Sequence, residues 1–197
     1  MIVSHRARAI FVHIQKTAGS SIEAALRDHD PEAGSHFVGG RRHVHAVELR
    51  DAVGRDVWGR YFKFAFVRNP WDRLVSWYQM CMEAQQPNAF CRYVRDGFPT
   101  FESFVTGATS GPGAKTTRNQ LDYVSDPAGG VIVDFIGRYE TLQADFATVA
   151  ARIGIAGNLA WVNASRHGAY RDYYDDVTRA IVARRFARDV AAFDYRF

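Results

Sequence analysis

The chain has 197 residues, 47% of them apolar and 14% aromatic, enough for one well-packed core and too few for two sizeable ones, so a single domain over residues 1–197 is expected. Two cysteines, Cys81 and Cys91, are too few for a disulfide framework or a zinc site with two cysteine pairs, and read as buried or reduced thiols. A formal charge of +4 is too small to mark a nucleic-acid binder, yet the basic residues are nearly all arginine, whose planar fork suits phosphate and sulfate oxygens, so an anionic ligand fits the balance.

In chain order, the opening Met1-Ile2-Val3-Ser4-His5-Arg6 leads into a strand rather than the apolar core and cleavage site of a secretory signal. With no apolar run of about 18 residues anywhere, a soluble cytoplasmic protein without a membrane span is expected. Residues 9–14 predict the first strand and 20–27 the first helix, with Ile22, Ala25 and Leu26 at helical spacing. A glycine-containing stretch at 36–40 is read as a short second strand, followed by a helix over 45–53 patterned on Val47, Leu49, Ala52 and Val53. Residues 61–67, aromatic or β-branched at nearly every position, predict a strand buried on both faces. Asn69-Pro70 ends it and the next helix covers 71–84, with Pro70 suited to its first turn. Residues 85–99 read as irregular, 100–106 as a short helix, and 107–119 as a Gly/Ser/Thr-rich loop of the length usual for lids or disordered segments. Residues 131–136 predict another core strand, and 141–153 and 175–190 amphipathic helices, the first burying Phe146, Val149 and Ile153. Strands alternating with helices indicate an α/β fold whose parallel sheet carries helices on both faces and takes its ligand at the carboxyl ends of the strands.

Two of the strand-to-helix turns carry chemistry. The first, Gln15-Lys16-Thr17-Ala18-Gly19-Ser20-Ser21, offers a glycine for close backbone approach and hydroxyls on Thr17, Ser20 and Ser21. It also offers the unpartnered first amides of a helix whose dipole favours negative charge. Lys16 adds a full positive charge, and the set makes an anion cradle; a serine-capped helix with a surface lysine is the plainer alternative. The loop lacks the G-x-x-x-x-G-K-[ST] spacing of Walker A, and Gly113-Ala114-Lys115-Thr116, which ends like one, has no strand before it. In the second turn Arg68 ends a buried strand and Ser76 lies within the helix that follows, so that both can grip one phosphate. Pairing of Arg68 with Asp72 or Asp134 is the structural alternative.

Together, "FVHIQKTAGSSIEAAL" (11–26) and "FAFVRNPWDRLVSWY" (64–78) resemble the two cofactor motifs of sulfotransferases that use 3'-phosphoadenosine 5'-phosphosulfate, PAPS. The nearer likeness is to the family-2 group that includes carbohydrate sulfotransferases, in its short soluble bacterial form. It extends to "QLDYVSD" (120–126), "VDFIGRYETL" (133–142) and "NASRHGAYRDYYDD" (163–176), in the same order and spacing. The resemblance implies a three-layer, P-loop-like fold with a central parallel sheet flanked by helices. It also implies PAPS as donor, PAP as product, and a hydroxyl acceptor, a small molecule or glycan. By the same resemblance Lys16, Thr17, Ala18, Gly19, Ser20 and Ser21 form the 5'-phosphosulfate loop, with Lys16 near the bridging oxygen. Arg68 and Ser76 hold the 3'-phosphate, and Arg166 is a further cofactor residue. Gln15 stands where the family usually has proline, and Ser20 where it has threonine. Arg42-His43 ahead of Ala46-Val47-Glu48-Leu49-Arg50 matches a basic residue and histidine that precede an Ala-x-Glu-Leu-Arg helix in relatives.

Sulfuryl transfer needs in-line placement, charge stabilisation on the leaving oxygen, and a base for the acceptor proton. The sulfuryl group carries less negative charge than a phosphoryl group, so Lys16 and backbone amides suffice and no metal is expected. His43 is expected as base because histidine titrates near neutrality, with His45, Glu48 and Glu23 as alternatives. His13 reads as a buried structural histidine, Arg138 and Glu140 as a buried structural pair, and Trp71, Trp77, Tyr78 and Tyr123 as core, one of them available to stack on adenine or a sugar. Two rival functions stand beside this one: a nucleotide-binding module without turnover, and an ATP-dependent small-molecule kinase, for which the sequence shows no Walker A loop.

Overall fold

A computed structural model describes residues 1–35, 38–108, 118–160 and 168–197. Their elements, in order, are β1 (Ile2–Ser4), β2 (Ala9–Val12), α1 (Gly19–His29), β3 (Gly34–Ser35), α2 (Ala46–Val53), α3 (Arg55–Arg60), β4 (Phe62–Val67), α4 (Pro70–Glu83) and α5 (Ala89–Gly97). There follow α6 (Phe101–Ser103) running into a π-helical turn (Phe104–Ala108), α7 (Gln120–Val124), β5 (Phe135–Arg138), α8 (Leu142–Ile153), α9 (Asp176–Arg185) and α10 (Ala187–Ala192). The chain divides into two compact units, Met1–Arg68 with Gln120–Ala164, and Asn69–Asn119 with Ser165–Phe197.

The first unit is built on a mixed sheet in the order β3-β1-β2-β4-β5. Strands β2, β4 and β5 run parallel, whereas β1 pairs antiparallel with both β2 and β3. The expected parallel sheet is therefore corrected at one edge. His5-Arg6-Ala7-Arg8 is too short a connection for a crossover, so Ile2–Ser4 can only fold back on β2 as a hairpin. Phe11 and Phe64 are register partners with ring centroids 5.2 Å apart. With Phe66 they form the sheet face that α1 covers through Ile22 and Leu26 and α8 covers through Leu142, Phe146, Val149 and Ile153.

Some expected boundaries move. The strand expected over 131–136 begins only at Phe135, because the Asp134 carboxylate accepts the Lys63 N–H at 2.8 Å and pairs with its ammonium at 2.8 Å, so the ladder starts one residue later. Gly137 then lies under Phe66, whose ring would stand 2.4 Å from any Cβ there. A short strand, β3 at Gly34–Ser35, stands just ahead of the one expected over 36–40; His36 and Phe37 lie outside the described residues, as do Gly113-Ala114-Lys115-Thr116 and most of the expected lid loop.

In the second unit, α4 starts at Pro70, and Asn69 caps it by accepting the Trp71 N–H at 3.0 Å. Residues 85–99, expected to be irregular, contain α5, capped by Asn88. Its Arg95 donates to the Cys81 and Met82 carbonyls at 2.6 and 2.8 Å and so satisfies the C-terminal end of α4. The helix expected over 175–190 is broken at Phe186 into α9 and α10. Trp71, Trp77 and Tyr78 are buried, as is Tyr123 in the first unit, and Cys81 and Cys91 are buried thiols. Among the described residues no helix is long and apolar enough to cross a membrane.

Candidate active site

Beyond β2 the chain turns through residues 13–18 before α1 begins at Gly19. Lys16 and Ala18 are left-handed, with φ of 67° and 65°, conformations that cost a non-glycine residue about 1–2 kcal/mol each and that cluster where function demands them. Thr17 is fully buried and its hydroxyl donates to the Ile14 carbonyl at 2.9 Å, which closes the turn. The N-cap of α1 is Ala18, which has no side chain able to cap, and Ser20 and Ser21 lie inside the helix. The serine-capped alternative is thus corrected to a helix whose first turn has no side-chain cap.

Gly19 also has a structural reason of its own. A Cβ built there would fall 1.9 Å from His13 Nε2, so the histidine ring occupies its side-chain space. That ring is held by its Nδ1–H, which donates to Glu23 Oε1 at 2.7 Å.

One strand over, β4 delivers Arg68. Gln120, fully buried at the start of α7, clasps its backbone twice: Oε1 accepts the Arg68 N–H at 2.9 Å and Nε2 donates to its carbonyl at 2.8 Å. The guanidinium lies 3.9 Å from the Tyr139 ring centroid, and Nη1 donates to the Lys16 carbonyl at 3.3 Å. Lys16 and Arg68, from adjacent parallel strands, therefore stand together at the carboxyl edge of the sheet. The Arg68 guanidinium, close to the Lys16 main chain and an uncapped helix, suits an anionic phosphate or sulfate group.

His43 reaches the same first turn. Its Nδ1 lies 3.0 Å from the His13 carbonyl, which can only accept; the proton is therefore on Nδ1 and the lone pair on Nε2. Its ring meets that of His13 edge-on, centroids 4.4 Å apart. Burial first, and His13 second, push its pKa down to about 3, so the ring is neutral rather than poised near neutrality as expected. Of the alternative bases, Glu23 is 1% exposed and already accepts from His13, Arg42 at 2.6 Å and the Met1 ammonium at 2.9 Å. Glu48 accepts from Arg41 and from the His45 N–H. His45 precedes α2 with its ring edge on Tyr123, centroids 4.9 Å apart.

Ser76 belongs to the second unit, where α4 buries it at 1% exposure. Arg166 lies outside the described residues, as do Ser165 and His167. Glu140 is exposed and Arg138 half-buried, so the pair is not a buried one. Sequence reasoning passed over Gln120 and Tyr139 as individuals, although both fall within segments that carry the resemblance. A cleft of about 650 Å³ lies at the opposite, N-terminal edge of the parallel strands, lined by Arg8, Arg60, Lys63, Asp134 and Arg152, and holds none of these residues.

An α/β sheet that presents a lysine-bearing loop and an arginine at adjoining strand ends has these residues at the edge where such sheets take their ligands. Residues 1–196 match the family model described as the sulfotransferase family, and the chain belongs to that family. An uncharacterized protein of Archaeoglobus fulgidus is 30% identical over 128 residues, which is 62% of this chain and 93% of the relative. The chemistry of the family is sulfuryl transfer.

Proposed function

We propose that the protein transfers a sulfuryl group from PAPS to an acceptor hydroxyl, releasing PAP, in line and without a metal. The observation that carries this reading is the joint placement of Lys16 and Arg68 beside the uncapped start of α1. The donor supplies an activated sulfuryl group on a phosphate leaving group. Lys16 stabilises the charge that grows on the oxygen between phosphorus and sulfur as that S–O bond breaks, helped by the amides of Gly19 and Ser20. Arg68, braced by Tyr139 and Gln120, takes the 3'-phosphate. The assignments of Ser76 and Arg166 to the same nucleotide rest on the motif resemblance.

The acceptor oxygen forms the new bond to sulfur, and its proton passes to His43 Nε2. A ring this weakly basic removes no proton from a free alcohol. It receives one as the oxygen acidifies on bonding to sulfur, so proton and sulfuryl transfer are concerted. A carbohydrate acceptor follows from the resemblance.

The test is incubation with ³⁵S-labelled PAPS and a panel of glycans, phenols and alcohols in the presence of EDTA, alongside calorimetric binding of PAP. Labelled sulfate ester is expected without divalent ions. Strict dependence on magnesium and ATP would overturn the assignment; tight PAP binding with no acceptor ever turned over would favour a non-catalytic module.

A further inference from the structure

We propose that Glu23 and His13 are positioning residues that hold the His43 ring in orientation and tautomer, with Arg42 tying the segment before His43 to the same carboxylate. The proposal rests on the reading of His43 as base. Glu23 lies in the second turn of α1 with 1% exposure, an unfavourable place for a charge unless its hydrogen bonds are needed. It draws together groups remote in sequence, His13 beyond β2, Arg42 beside His43 and the Met1 ammonium, and also meets Arg27 one turn along its own helix at 3.6 Å.

His13 is confined on every side. Glu23 fixes its Nδ1–H, Gly19 leaves room for Nε2 only because it lacks a side chain, and Phe11 stacks on it with centroids 5.5 Å apart. What this fixed residue presents to His43 is a ring edge and a carbonyl, the two features that set how the His43 imidazole lies and which nitrogen is bare. His43 is thereby held from two directions. Its ring rests on His13, and its chain neighbour Arg42 is anchored on Glu23, so a loosened carboxylate releases both. Among the described residues, the charged and titratable groups of this cluster are Glu23, His13, His43, Arg27, Arg42 and the Met1 ammonium, and burial keeps His13 neutral despite its acidic partner.

The experiment uses the full chain with Glu23→Gln, which keeps an acceptor but removes the charge; His13→Asn, whose amide keeps the donor to Glu23 but removes the ring; and Arg42→Ala, at a half-exposed side chain. Imidazole ¹⁵N spectra across pH report the His43 tautomer and titration without any need for turnover. In the wild type Nε2 is expected unprotonated from neutral pH down to about pH 4. In the variants mixed tautomers and titration at higher pH are expected. With PAPS and an accepted acceptor, kcat is expected to fall on the order of 10- to 100-fold, as for other groups that orient an imidazole, with PAP affinity unchanged. Unchanged His43 spectra in all three variants overturn the proposal whether or not the protein is active. Altered spectra in a protein that transfers no sulfuryl group uphold the positioning and sink the function reading instead.

Discussion

The imidazole of His13 fills the space that a side chain on residue 19 would need, with Nε2 1.9 Å from where a Cβ would stand. Because Glu23 and Phe11 also pin the ring, it cannot swing clear. Gly19→Ala is therefore expected to destabilise the protein by about 1–3 kcal/mol, the usual cost of overpacking. Urea denaturation measures the loss, and adding His13→Ala should recover part of it. Full stability in the single variant would mean that the ring has another resting place.

Lys16→Met is expected to lower kcat by about 10²–10³-fold while PAP affinity stays within a few-fold, as for loss of a donor aimed at developing charge. Lys16→Gly removes the same amine but suits a φ of 67°, so it should be equally slow yet no less stable. Single-turnover kinetics and thermal melts separate the two effects, and an active Lys16→Gly enzyme would remove the lysine from the mechanism.

Arg68 is 3% exposed and stacks on Tyr139 at 3.9 Å. A lysine lacks both the planar stack and the fork, so Arg68→Lys is expected to weaken PAP binding at least about tenfold despite keeping the charge. Tyr139→Phe should be close to neutral, whereas Tyr139→Leu should cost about 0.5–2 kcal/mol of binding free energy. Calorimetric titration with PAP distinguishes the three, and equal affinities for Phe and Leu variants would show that the ring does not matter.

Acid should unfold the protein early. Unfolded His43 takes up a proton near 6.5, but burial, and then His13, delay this in the folded state to about 3. Across that window the unfolded state binds a proton the folded state refuses, so stability falls as pH drops. Glu23 acts in the same direction further down. Burial would raise its pKa, but the His13 and N-terminal hydrogen bonds outweigh it and leave the carboxyl well below its ordinary value of 4.5, so its contribution is lost on acidification below that point. Together they should lower stability by on the order of a few kcal/mol between pH 7 and pH 4. Urea midpoints at unit pH steps test this, and His43→Gln should flatten the slope between pH 6.5 and 4. A wild-type profile flat over that range would contradict the buried cluster.

The features readable from residue order alone are local. Both chemical turns were legible because an apolar run, a turn and a helical repeat are each written within a dozen or so neighbouring residues, and Lys16 and Arg68 sit at their junctions. Helix α5 was equally open to reading, since Asn88 caps it and Cys91 and Val94 share its buried face; the irregular flanks hid it. Tertiary structure alone decided the rest. It made β1 an antiparallel edge and moved the start of β5 to follow Asp134. It also brought Tyr139 and Gln120 to Arg68, and gathered His13, Arg42 and His43 around the buried Glu23 carboxylate. Periodicity and turn chemistry act over a few residues, whereas the partner that a buried polar side chain acquires depends on strand order and on which segments pack around it, and no short stretch of sequence contains that information.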